Sequence, residues 1–360
     1  MMRVLHLLSS NSFSGAENVV CQIMRLFRGE IDMVYCSPDG PIKVTLQQKK
    51  IKYIPLERLT TGQLNKVIHE YKPDIIHAHD VRASVIASQY SKKVMIISHL
   101  HCRFVEMSKI TVKSLLYQLC LPKFSHVFTV SNSIRSEYVF SKALMQKSSV
   151  LYNAIDEKVI KKMAEHEEIV RYDGVFLGRF SWQKNPQRLI KIIGEIVKKL
   201  PDARFVLIGK GSLLGEAKEL TKKLNLQDNI TFTGYLSNPF PYLRASRFML
   251  MTSRLEGTPM CILEAMTLGI PVVSTGVDGI KELIQNGVDG FYTDEDAELV
   301  EYACQLIVND RLRHRLSQNV LEKSRAINNL VNYKKKLRKV YQSQAFLVLR
   351  ERESMVRPLD

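Results

Sequence analysis

The segment Ser253-Arg-Leu-Glu-Gly-Thr-Pro-Met-Cys-Ile-Leu-Glu-Ala-Met-Thr-Leu-Gly-Ile-Pro271 indicates the fold class most clearly. A short apolar run, Phe248–Met251, precedes it and predicts a strand. Thr258 and Pro259 are typical of a helix start, as N-cap and first helical residue, and Gly269 is typical of a helix end. The segment therefore predicts a strand, a loop and a helix of an α/β sheet. In open α/β sheets ligands bind at the edge where such helices begin.

Two carboxylates stand eight positions apart in this segment. Glu256 precedes the expected helix, and Glu264 lies five residues inside it, about 7–8 Å along the helix axis. Backbone N–H groups at a helix start suit a phosphate, and Glu264 would then reach ribose hydroxyls. Glu264 also shares an apolar stripe with Met260 and Leu268, where a carboxylate needs a partner. The alternative, two ordinary solvated carboxylates, stays equally open at this point.

The alternation of short apolar runs and helical patterns continues through the chain in two series. The strand-like runs of the first series are 4–8, 33–36, 74–77, 94–98 and 127–130. The runs of the second series are 174–177, 204–208, 230–233, 248–251 and 272–274. Strands that alternate with helices predict parallel sheets. We therefore expect two doubly wound α/β domains.

The expected domain limits follow from these two series. The first domain covers 1–165 and the second 166–330, and the highly charged segment Asp156–Asp173 suits a linker. We expect a helix at 331–345 to return to the first domain, and 346–360 to form a loosely ordered tail.

The composition is that of a globular protein with an excess of basic residues. The 360 residues are 45% apolar and carry a formal net charge of +16, which favours polyanionic partners. The six cysteines form no Cys-x-x-Cys pair, which indicates free thiols in a reducing compartment. The N-terminal apolar run is too short for a signal peptide, and no stretch approaches the roughly 20 apolar residues of a membrane span. We expect a cytoplasmic protein whose membrane contact, if any, is peripheral and on the inner face.

A basic loop and a glycine turn follow two other predicted strands. Gly178-Arg179-Phe-Ser-Trp-Gln-Lys184 comes directly after the run 174–177, and its Arg179 and Lys184 can hold a diphosphate. Gly209-Lys-Gly-Ser212 comes after the run 204–208, at the same edge of the sheet. Taken alone, the basic loop is equally consistent with an ordinary solvated loop, and the glycine turn is weak evidence.

Together these motifs resemble the retaining GT-B glycosyltransferases of family 4. The family's pair of glutamates separated by seven residues corresponds to Glu256 and Glu264. Further matches are the Gly-Arg…Lys loop, the Gly-Lys-Gly turn, Asn153-Ala-Ile-Asp156, Ser274–Ile284 and Ser14-Gly15-Ala16-Glu17. Ser14 and Ala154 depart from the pattern, because the family usually has glycine at both positions. The resemblance covers about residues 3–345 and implies a GT-B fold, with two Rossmann-like domains that face each other across a cleft.

The resemblance also implies roles for individual residues. Arg179 and Lys184 would neutralise the departing diphosphate, Glu256 would contact the donor sugar and Glu264 would hold the ribose hydroxyls. His101 resembles the family's histidine near the donor sugar. The other residues expected to bind the donor are Gly15, Gly178, Gly209, Gly257, Thr258, Pro259 and Met260.

The implied activity is transfer of a hexose or N-acetylhexosamine with retention. The expected donor is a nucleotide diphosphate sugar, a UDP-sugar above all, and the expected acceptor is a saccharide or a lipid diphosphate, in surface polysaccharide or glycan biosynthesis. The family works without a metal or another cofactor, so we expect none. Asp294-Glu295-Asp296 is accordingly interpreted as an acidic helix start rather than a metal site.

Two histidine pairs and one mixed segment complete the first half. His77-Ala-His79-Asp80 and His99-Leu-His101 each follow a predicted strand, where histidines act as metal ligands or as structural residues. No carboxylate–histidine set with helical spacing accompanies them, which disfavours a metal. Lys109–Lys123 mixes lysines with Leu, Tyr and Val at helical spacing. Such a helix lies on an anionic membrane surface or, in the plainer interpretation, packs in the core with a basic rim.

Other functions compete with glycosyl transfer. Sugar-nucleotide epimerases and phosphorylases use the same fold, although the sequence shows no clear cofactor-lysine site of a phosphorylase. From a different class, a basic polyanion-binding protein fits the charge, but no nucleic-acid-binding motif is present, and we expect no nucleic acid partner. A nicotinamide-dependent oxidoreductase is disfavoured because no Gly-x-Gly-x-x-Gly follows the first strand.

Overall fold

The computed structural model describes residues 1–102, 105–165 and 170–355. It divides into two compact units, the first containing Met1–Asn153 with the chain from Leu330 onward, and the second containing Ala154–Asn329. The division falls earlier than the expected 165/166. The reason is a helix, Glu157–Met163, inside the expected linker. It packs within the second unit, where its Glu157 carboxylate accepts a 3.0 Å hydrogen bond from Ser324.

The first unit contains a seven-stranded sheet in which every strand pair is parallel. Its strands are β1 (Arg3–Leu7), β2 (Asp32–Pro38), β3 (Tyr53–Leu56), β4 (Ile75–Ala78), β5 (Met95–Leu100), β6 (His126–Thr129) and β7 (Ser148–Val150). Its first seven helices are α1 (Gly15–Leu26), α2 (Ile42–Gln48), α3 (Thr61–Tyr71), α4 (Val81–Ala87), α5 (Val112–Cys120), α6 (Asn132–Ser136) and α7 (Ser141–Lys147). The strand order β3-β2-β1-β4-β5-β6-β7 places β1 beside β4, where the direction of winding reverses.

The second unit contains a six-stranded parallel sheet with the order β10-β9-β8-β11-β12-β13. Its strands are β8 (Tyr172–Leu177), β9 (Phe205–Ile208), β10 (Ile230–Gly234), β11 (Ser246–Met251), β12 (Val272–Ser274) and β13 (Gly290–Tyr292). Its helices are α8 (Glu157–Met163), α9 (Pro186–Lys199), α10 (Leu214–Lys223), α11 (Phe240–Arg244), α12 (Met260–Thr267), α13 (Asp278–Leu283), α14 (Asp296–Val308) and α15 (Asp310–Ile327). In chain order this is the 3-2-1-4-5-6 arrangement of a Rossmann domain, and its direction reverses between β8 and β11.

The last helix, α16 (Leu330–Met355), belongs to the first unit. Its Tyr333, Leu337 and Tyr341 are almost fully buried, and Tyr341 Oη lies 2.8 Å from Nδ1 of His77 on β4. The helix continues through most of the segment expected to be a tail. No glycine or proline interrupts that segment before Pro358, so nothing in the sequence stops the helix earlier.

Each sheet is buried in its own apolar core, as expected for parallel strands covered on both faces. The strands of the first unit nevertheless carry fully buried histidines, which are His6, His77 and His99. Because burying a polar ring costs free energy unless it is hydrogen-bonded, these histidines mark a part of the core that apolar packing does not explain.

Candidate functional site

Two loops meet where β8 and β11 end side by side in the second unit. Arg254 joins them, because its backbone N–H donates to the Gln183 carbonyl at 2.8 Å and its guanidinium donates to Asn185 Oδ1 at 2.9 Å. The same guanidinium lies over the ring of Trp182, 5.1 Å from the centroid. The sequence analysis missed Arg254, although it lies inside the most informative motif. These contacts fix the basic loop against the segment that precedes α12.

Lys184 and Glu256 form a largely buried ion pair at this edge. Lys184 Nζ lies 2.6 Å from Glu256 Oε1, and the two side chains are only 14% and 6% exposed. Burial alone would lower the pKa of Lys184, but the Glu256 carboxylate and the neighbouring Cys261 together outweigh burial, and the pKa of Lys184 is raised above its ordinary value. Lys184 is therefore a fixed ammonium group at neutral pH. The two predicted site residues, 72 positions apart in the chain, are in direct contact.

Arg179 lies in the same loop but is differently placed. Its side chain is exposed, and within the described part of the chain it forms no hydrogen bond or ion pair. Its charge acts against that of Lys184, so the two cations are close enough to interact. Two positive charges beside one carboxylate leave an excess of positive charge, which favours an anionic ligand.

The helix α12 begins one residue later than the sequence indicated. Pro259, with an extended ψ of 119°, is the N-cap, so the prediction that Thr258 caps the helix and Pro259 is its first residue is wrong. The reason is that the Pro259 carbonyl accepts the first helical N–H groups, from Ile262 and Leu263. The helix ends as expected, with Gly269 in the left-handed region at φ +73°.

Glu264 lies in the second turn of α12 and is half-buried between neighbours that are fully buried. Lys184, Glu256 and Glu264 all act electrostatically on the Cys261 thiol, whose pKa burial raises to about 11. The three charged residues therefore surround the first turn of this helix. Cys261, which the sequence analysis did not single out, is a protonated thiol at neutral pH.

The glycines of this edge allow close approach of one backbone to another. A Cβ on Gly209, at φ +143°, would lie 1.8 Å from the Gly178 carbonyl oxygen. A Cβ on Gly279 would lie 1.4 Å from the Gly257 carbonyl oxygen. Three of these glycines, Gly178, Gly209 and Gly257, were predicted to bind the donor; Gly279 was not, and only its place in the family-like segment 274–284 signalled it. The contacts give Gly209 and Gly279 a structural reason to be glycine, whatever they bind.

In the first unit, the loop after β1 leads into α1. Gly15 is the first residue of α1, Ser14 is its N-cap, and the Ser14 hydroxyl donates to the buried Glu17 carboxylate. The Ser9 N–H donates to Asp80 Oδ2 at 2.8 Å, which joins this loop to the loop after β4. Gly15 thus lies where a helix start leaves backbone N–H groups without helical partners.

Next to this loop, five histidine rings pack on the adjacent strands β1, β4 and β5 or just after them. They are His6, His77, His79, His99 and His101. His79 is the centre of the group, because its Nε2 lies 2.9 Å from His6 Nδ1 and its Nδ1 lies 2.9 Å from His101 Nε2. Burial lowers the pKa of all five, to about 3 for His6 and His101. The rings are therefore neutral at pH 7.

Two groups of residues bear on the prediction that no metal binds. Asp294-Glu295-Asp296 leads into α14, whose first residue is Asp296, and Asp296 accepts a hydrogen bond from Arg188 Nε at 2.7 Å, as expected of an acidic helix start. Among the described residues, the sets His6, His77, His79 and His79, His99, His101 each bring three ring nitrogens within 4.8 Å of one another. Neutral imidazoles so close together are compatible with a cation, so the absence of a metal stays a prediction.

Comparisons with known proteins agree with this architecture. A family model described as Glycosyl transferases group 1 matches residues 161–323, and one described as Glycosyltransferase Family 4 matches residues 13–159. An uncharacterized glycosyltransferase of Methanocaldococcus jannaschii is 27% identical, over 60% of this chain and 58% of its own length. The UDP-Gal:alpha-D-GlcNAc-diphosphoundecaprenol alpha-1,3-galactosyltransferase of Escherichia coli is 24% identical, over 94% of this chain and 96% of its own.

Solved structures support the same conclusion for the fold. Anabaena Alr3699/HepE in complex with UDP superposes with a TM-score of 0.82 at 20% identity, over 95% of this chain and all of that one. The expected GT-B fold is confirmed by this likeness and by the two Rossmann-type sheets. With family models covering nearly the whole of both units, the chain belongs to the group 1 glycosyltransferases of the GT-B fold.

Proposed function

We propose that the second unit binds the diphosphate of a UDP-sugar where β8 and β11 end. The observation that carries the proposal is the buried Lys184–Glu256 pair with the exposed guanidinium of Arg179 beside it, which has no partner among the described residues. An anion that arrives here meets two cations and one carboxylate on rigid strand ends. The complex of HepE with UDP supports the choice of uridine.

Each charged residue has a defined role in this proposal. Lys184 and Arg179 neutralise the diphosphate, and Glu264, one turn into α12, accepts hydrogen bonds from the ribose hydroxyls. Gly257, Pro259 and Met260 contact the donor through their backbone at the start of α12. Glu256 positions Lys184 and contacts the donor sugar. Catalysis then comes from positioning and electrostatic stabilisation.

The proposed transfer proceeds with retention at the anomeric carbon. The acceptor hydroxyl oxygen forms a bond to that carbon on the face from which the diphosphate leaves. The carbon–oxygen bond to the diphosphate breaks, its electron pair stays on the diphosphate, and the hydroxyl proton passes to a diphosphate oxygen. Lys184 and Arg179 stabilise the negative charge that develops there, so the step requires no metal.

A nucleotide screen and product analysis test this proposal. We expect UDP to bind in calorimetry at least tenfold more tightly than ADP or GDP, and a UDP-hexose or UDP-N-acetylhexosamine to be consumed in the presence of EDTA. The product's anomeric configuration, read by proton NMR, should match that of the donor. Equal binding of all three nucleotides would contradict the uridine assignment. An inverted product or loss of activity in EDTA would contradict the mechanism.

For the acceptor, we infer a saccharide carried on a lipid diphosphate, used in surface polysaccharide or glycan assembly. The name of the Escherichia coli relative describes such an acceptor, and that protein aligns over 94% of this chain. The strongly basic chain, at net +16, suits an anionic carrier. A cytoplasmic enzyme peripheral to the inner face of the membrane follows from this choice of acceptor.

The helix α5 supplies the membrane contact in this proposal. Its Val112, Leu115, Leu116 and Leu119 are 74%, 44%, 46% and 71% exposed, while Ser114, Tyr117 and Cys120 on the opposite face are buried. The plainer interpretation of Lys109–Lys123, a core helix with a basic rim, therefore accounts for only one face. An apolar stripe that faces solvent beside lysines is typical of a helix on an anionic lipid surface. Among the described residues, no helix is both long enough and apolar enough to cross a membrane.

Vesicle flotation separates this surface from ordinary exposed residues. We expect the protein to float with vesicles that contain phosphatidylglycerol, and the double variant Leu116→Ser, Leu119→Ser to bind at least tenfold more weakly. The matched control is Val44→Ser, Val308→Ser, which removes two apolar side chains elsewhere that are 58% and 65% exposed. Equal flotation of both variants, or binding to uncharged phosphatidylcholine alone, would contradict the proposed surface.

A further inference from the structure

Three of the five histidines form one continuous hydrogen-bonded chain, which we call the imidazole relay: His6, His79 and His101. The relay runs from His101 Nε2 to His79 Nδ1 and from His79 Nε2 to His6 Nδ1, both at 2.9 Å. At its inner end, His6 Nε2 lies 3.5 Å from the sulfur of Met33. At its outer end, His101 Nδ1 is buried and has no hydrogen-bond partner among the described residues.

A neutral imidazole carries one N–H and one lone pair, so all three rings must share one direction of donation. Burial keeps every ring neutral, since it lowers the pKa of each far below 7. If the rings donate inward, His101 Nε2–H donates to His79, His79 Nε2–H donates to His6, and His6 Nε2–H donates to the Met33 sulfur. If the rings donate outward, His6 Nδ1–H donates to His79 Nε2, His79 Nδ1–H donates to His101 Nε2, and the proton of His101 lies on Nδ1.

The thioether of Met33 decides between these two directions. A thioether sulfur accepts a weak hydrogen bond but has no hydrogen to donate. Inward donation therefore forms three hydrogen bonds, whereas outward donation forms two and leaves the His6 Nε2 lone pair against a sulfur. Outward donation would also leave His101 Nδ1–H as a buried donor with no partner among the residues that the structure describes. Inward donation is the better satisfied arrangement.

We infer that the relay holds His101 as the Nε2–H tautomer, with the bare Nδ1 lone pair as a hydrogen-bond acceptor for a hydroxyl of the reacting sugar. His79 is then a positioning residue, which acts only through His101. This inference rests on the proposed sugar transfer for the identity of the hydroxyl, whereas the tautomer stands on the first unit alone. Because Nδ1 is buried, side chains over it must move aside when the hydroxyl enters.

The tautomer is measured directly on the full chain labelled with nitrogen-15 histidine. Two-bond proton–nitrogen correlation spectra at pH 7 should show His101 with protonated Nε2 and unprotonated Nδ1. The variant Met33→Leu keeps the side-chain volume but removes the acceptor, so the other tautomer should become populated. A protonated Nδ1 in the unaltered protein overturns the inference, whether or not the protein transfers sugar. So does stoichiometric zinc, nickel or copper in the purified protein, because a metal would then hold these nitrogens.

Two substitutions of His79 separate positioning from structure. In His79→Asn the amide oxygen can take the place of Nδ1 and accept from His101, so kcat should stay within about threefold. In His79→Leu that acceptor is lost, and kcat should fall at least tenfold with the donor KM and the UDP affinity within about twofold. The control His126→Leu removes a histidine of the same sheet outside the relay and should leave kcat unchanged. Equal kcat in the two His79 variants overturns the inference, and failure of UDP to bind the unaltered protein contradicts the proposed function instead.

Discussion

Lys184 and Glu256, from two loops 72 residues apart, meet at 2.6 Å where β8 and β11 end. The pair is largely buried, so its partners cannot be removed singly without a cost to stability. Breaking one side of a buried ion pair leaves an uncompensated charge, which typically costs about 3–5 kcal/mol. This coupling makes it possible to separate the contribution of Lys184 to folding from the diphosphate contact proposed for it.

The variant Lys184→Met should lower kcat/KM about 100-fold and also lower the melting temperature, because Glu256 is left buried without its cation. In the double variant Lys184→Met, Glu256→Gln the orphaned charge is gone, so the melting temperature should recover while activity does not. Steady-state kinetics and differential scanning calorimetry on the same preparations measure both. Recovery of activity together with stability would show that Lys184 acts only in folding.

Arg179→Met should lower kcat/KM about 100-fold with little change in melting temperature, because Arg179 is exposed and has no partner in the described structure. The matched control is Arg171→Met, an exposed arginine just before β8 that forms no ion pair with any described residue and has no proposed role. Steady-state kinetics with the best donor measure the effect. A loss confined to the acceptor KM would argue against a diphosphate contact.

Glu264→Gln should weaken UDP binding about tenfold, since a carboxylate accepts hydrogen bonds from ribose hydroxyls more strongly than an amide does. Calorimetry with 2′-deoxy-UDP and 3′-deoxy-UDP completes a thermodynamic cycle. If Glu264 binds a ribose hydroxyl, the variant should weaken the binding of UDP but not that of the analogue that lacks this hydroxyl. Glu219→Gln, an exposed carboxylate on α10, is the control. If the variant weakens UDP and both deoxy analogues equally, Glu264 does not bind the ribose.

The first unit should lose stability as the pH falls below about 6.5. Its buried histidines have pKa values far below 6.5 when folded, so the unfolded chain binds more protons at pH 5 to 6 than the folded chain does. The contribution of these histidines to the free energy of unfolding is fully present above pH 6.5. It decreases by about 1.4 kcal/mol per pH unit for each such histidine as the pH falls toward 5.

Urea unfolding at several pH values measures this effect. The single tryptophan, Trp182, lies in the second unit, so its fluorescence follows that unit alone while far-UV circular dichroism follows both. The unfolding transition of the first unit is the one seen by circular dichroism but not by Trp182 fluorescence. We expect its midpoint to move to a lower urea concentration between pH 7 and pH 5. The shift should shrink in His99→Phe. A transition independent of pH in this range would mean that the histidines are charged or solvated in the folded protein.

Gly209→Ala should abolish UDP binding, because the added methyl would lie 1.8 Å from the Gly178 carbonyl oxygen and force the two loops apart. Gly215→Ala is the matched control, since nothing lies within 4 Å of a Cβ at that position in α10. That change should leave binding intact and stabilise the protein by about 0.5–1 kcal/mol. Calorimetry and thermal unfolding of both variants test the difference, and normal UDP binding by Gly209→Ala would contradict it.

The second unit was more predictable from sequence than the first. Glycine, proline and charged residues mark its loops and helix starts directly, so local patterns located the segments that carry Lys184, Glu256 and Glu264, while the roles expected of these residues came from the family resemblance. The pairing of Lys184 with Glu256 could not follow, because it depends on β8 and β11 being neighbours in the sheet. The start of α12 was misplaced by one residue because local preferences do not show whether Pro259 adopts helical or extended ψ.

In the first unit the decisive contacts are nonlocal. His79 was noticed as one of a pair, but its partner His6 lies 73 residues away on β1, inside an apolar run that gave no signal of its own. The same holds for α5, where helical spacing predicted an amphipathic helix but not which face the protein would cover. Only the packing of Tyr117 and Cys120 shows that Leu116 and Leu119 are left outside.

The return of α16 to the first unit sets an order of events during synthesis. Tyr333, Leu337 and Tyr341 complete a core that begins with the first strand, yet the ribosome makes them only after the whole second unit. The second unit can therefore finish folding before the first unit gains its last helix, and until then Phe27 and His77 lack the Tyr341 contact that covers them. Nascent chains that stall before residue 330 would be exposed to chaperones and proteases through their N-terminal half, although that half was made first.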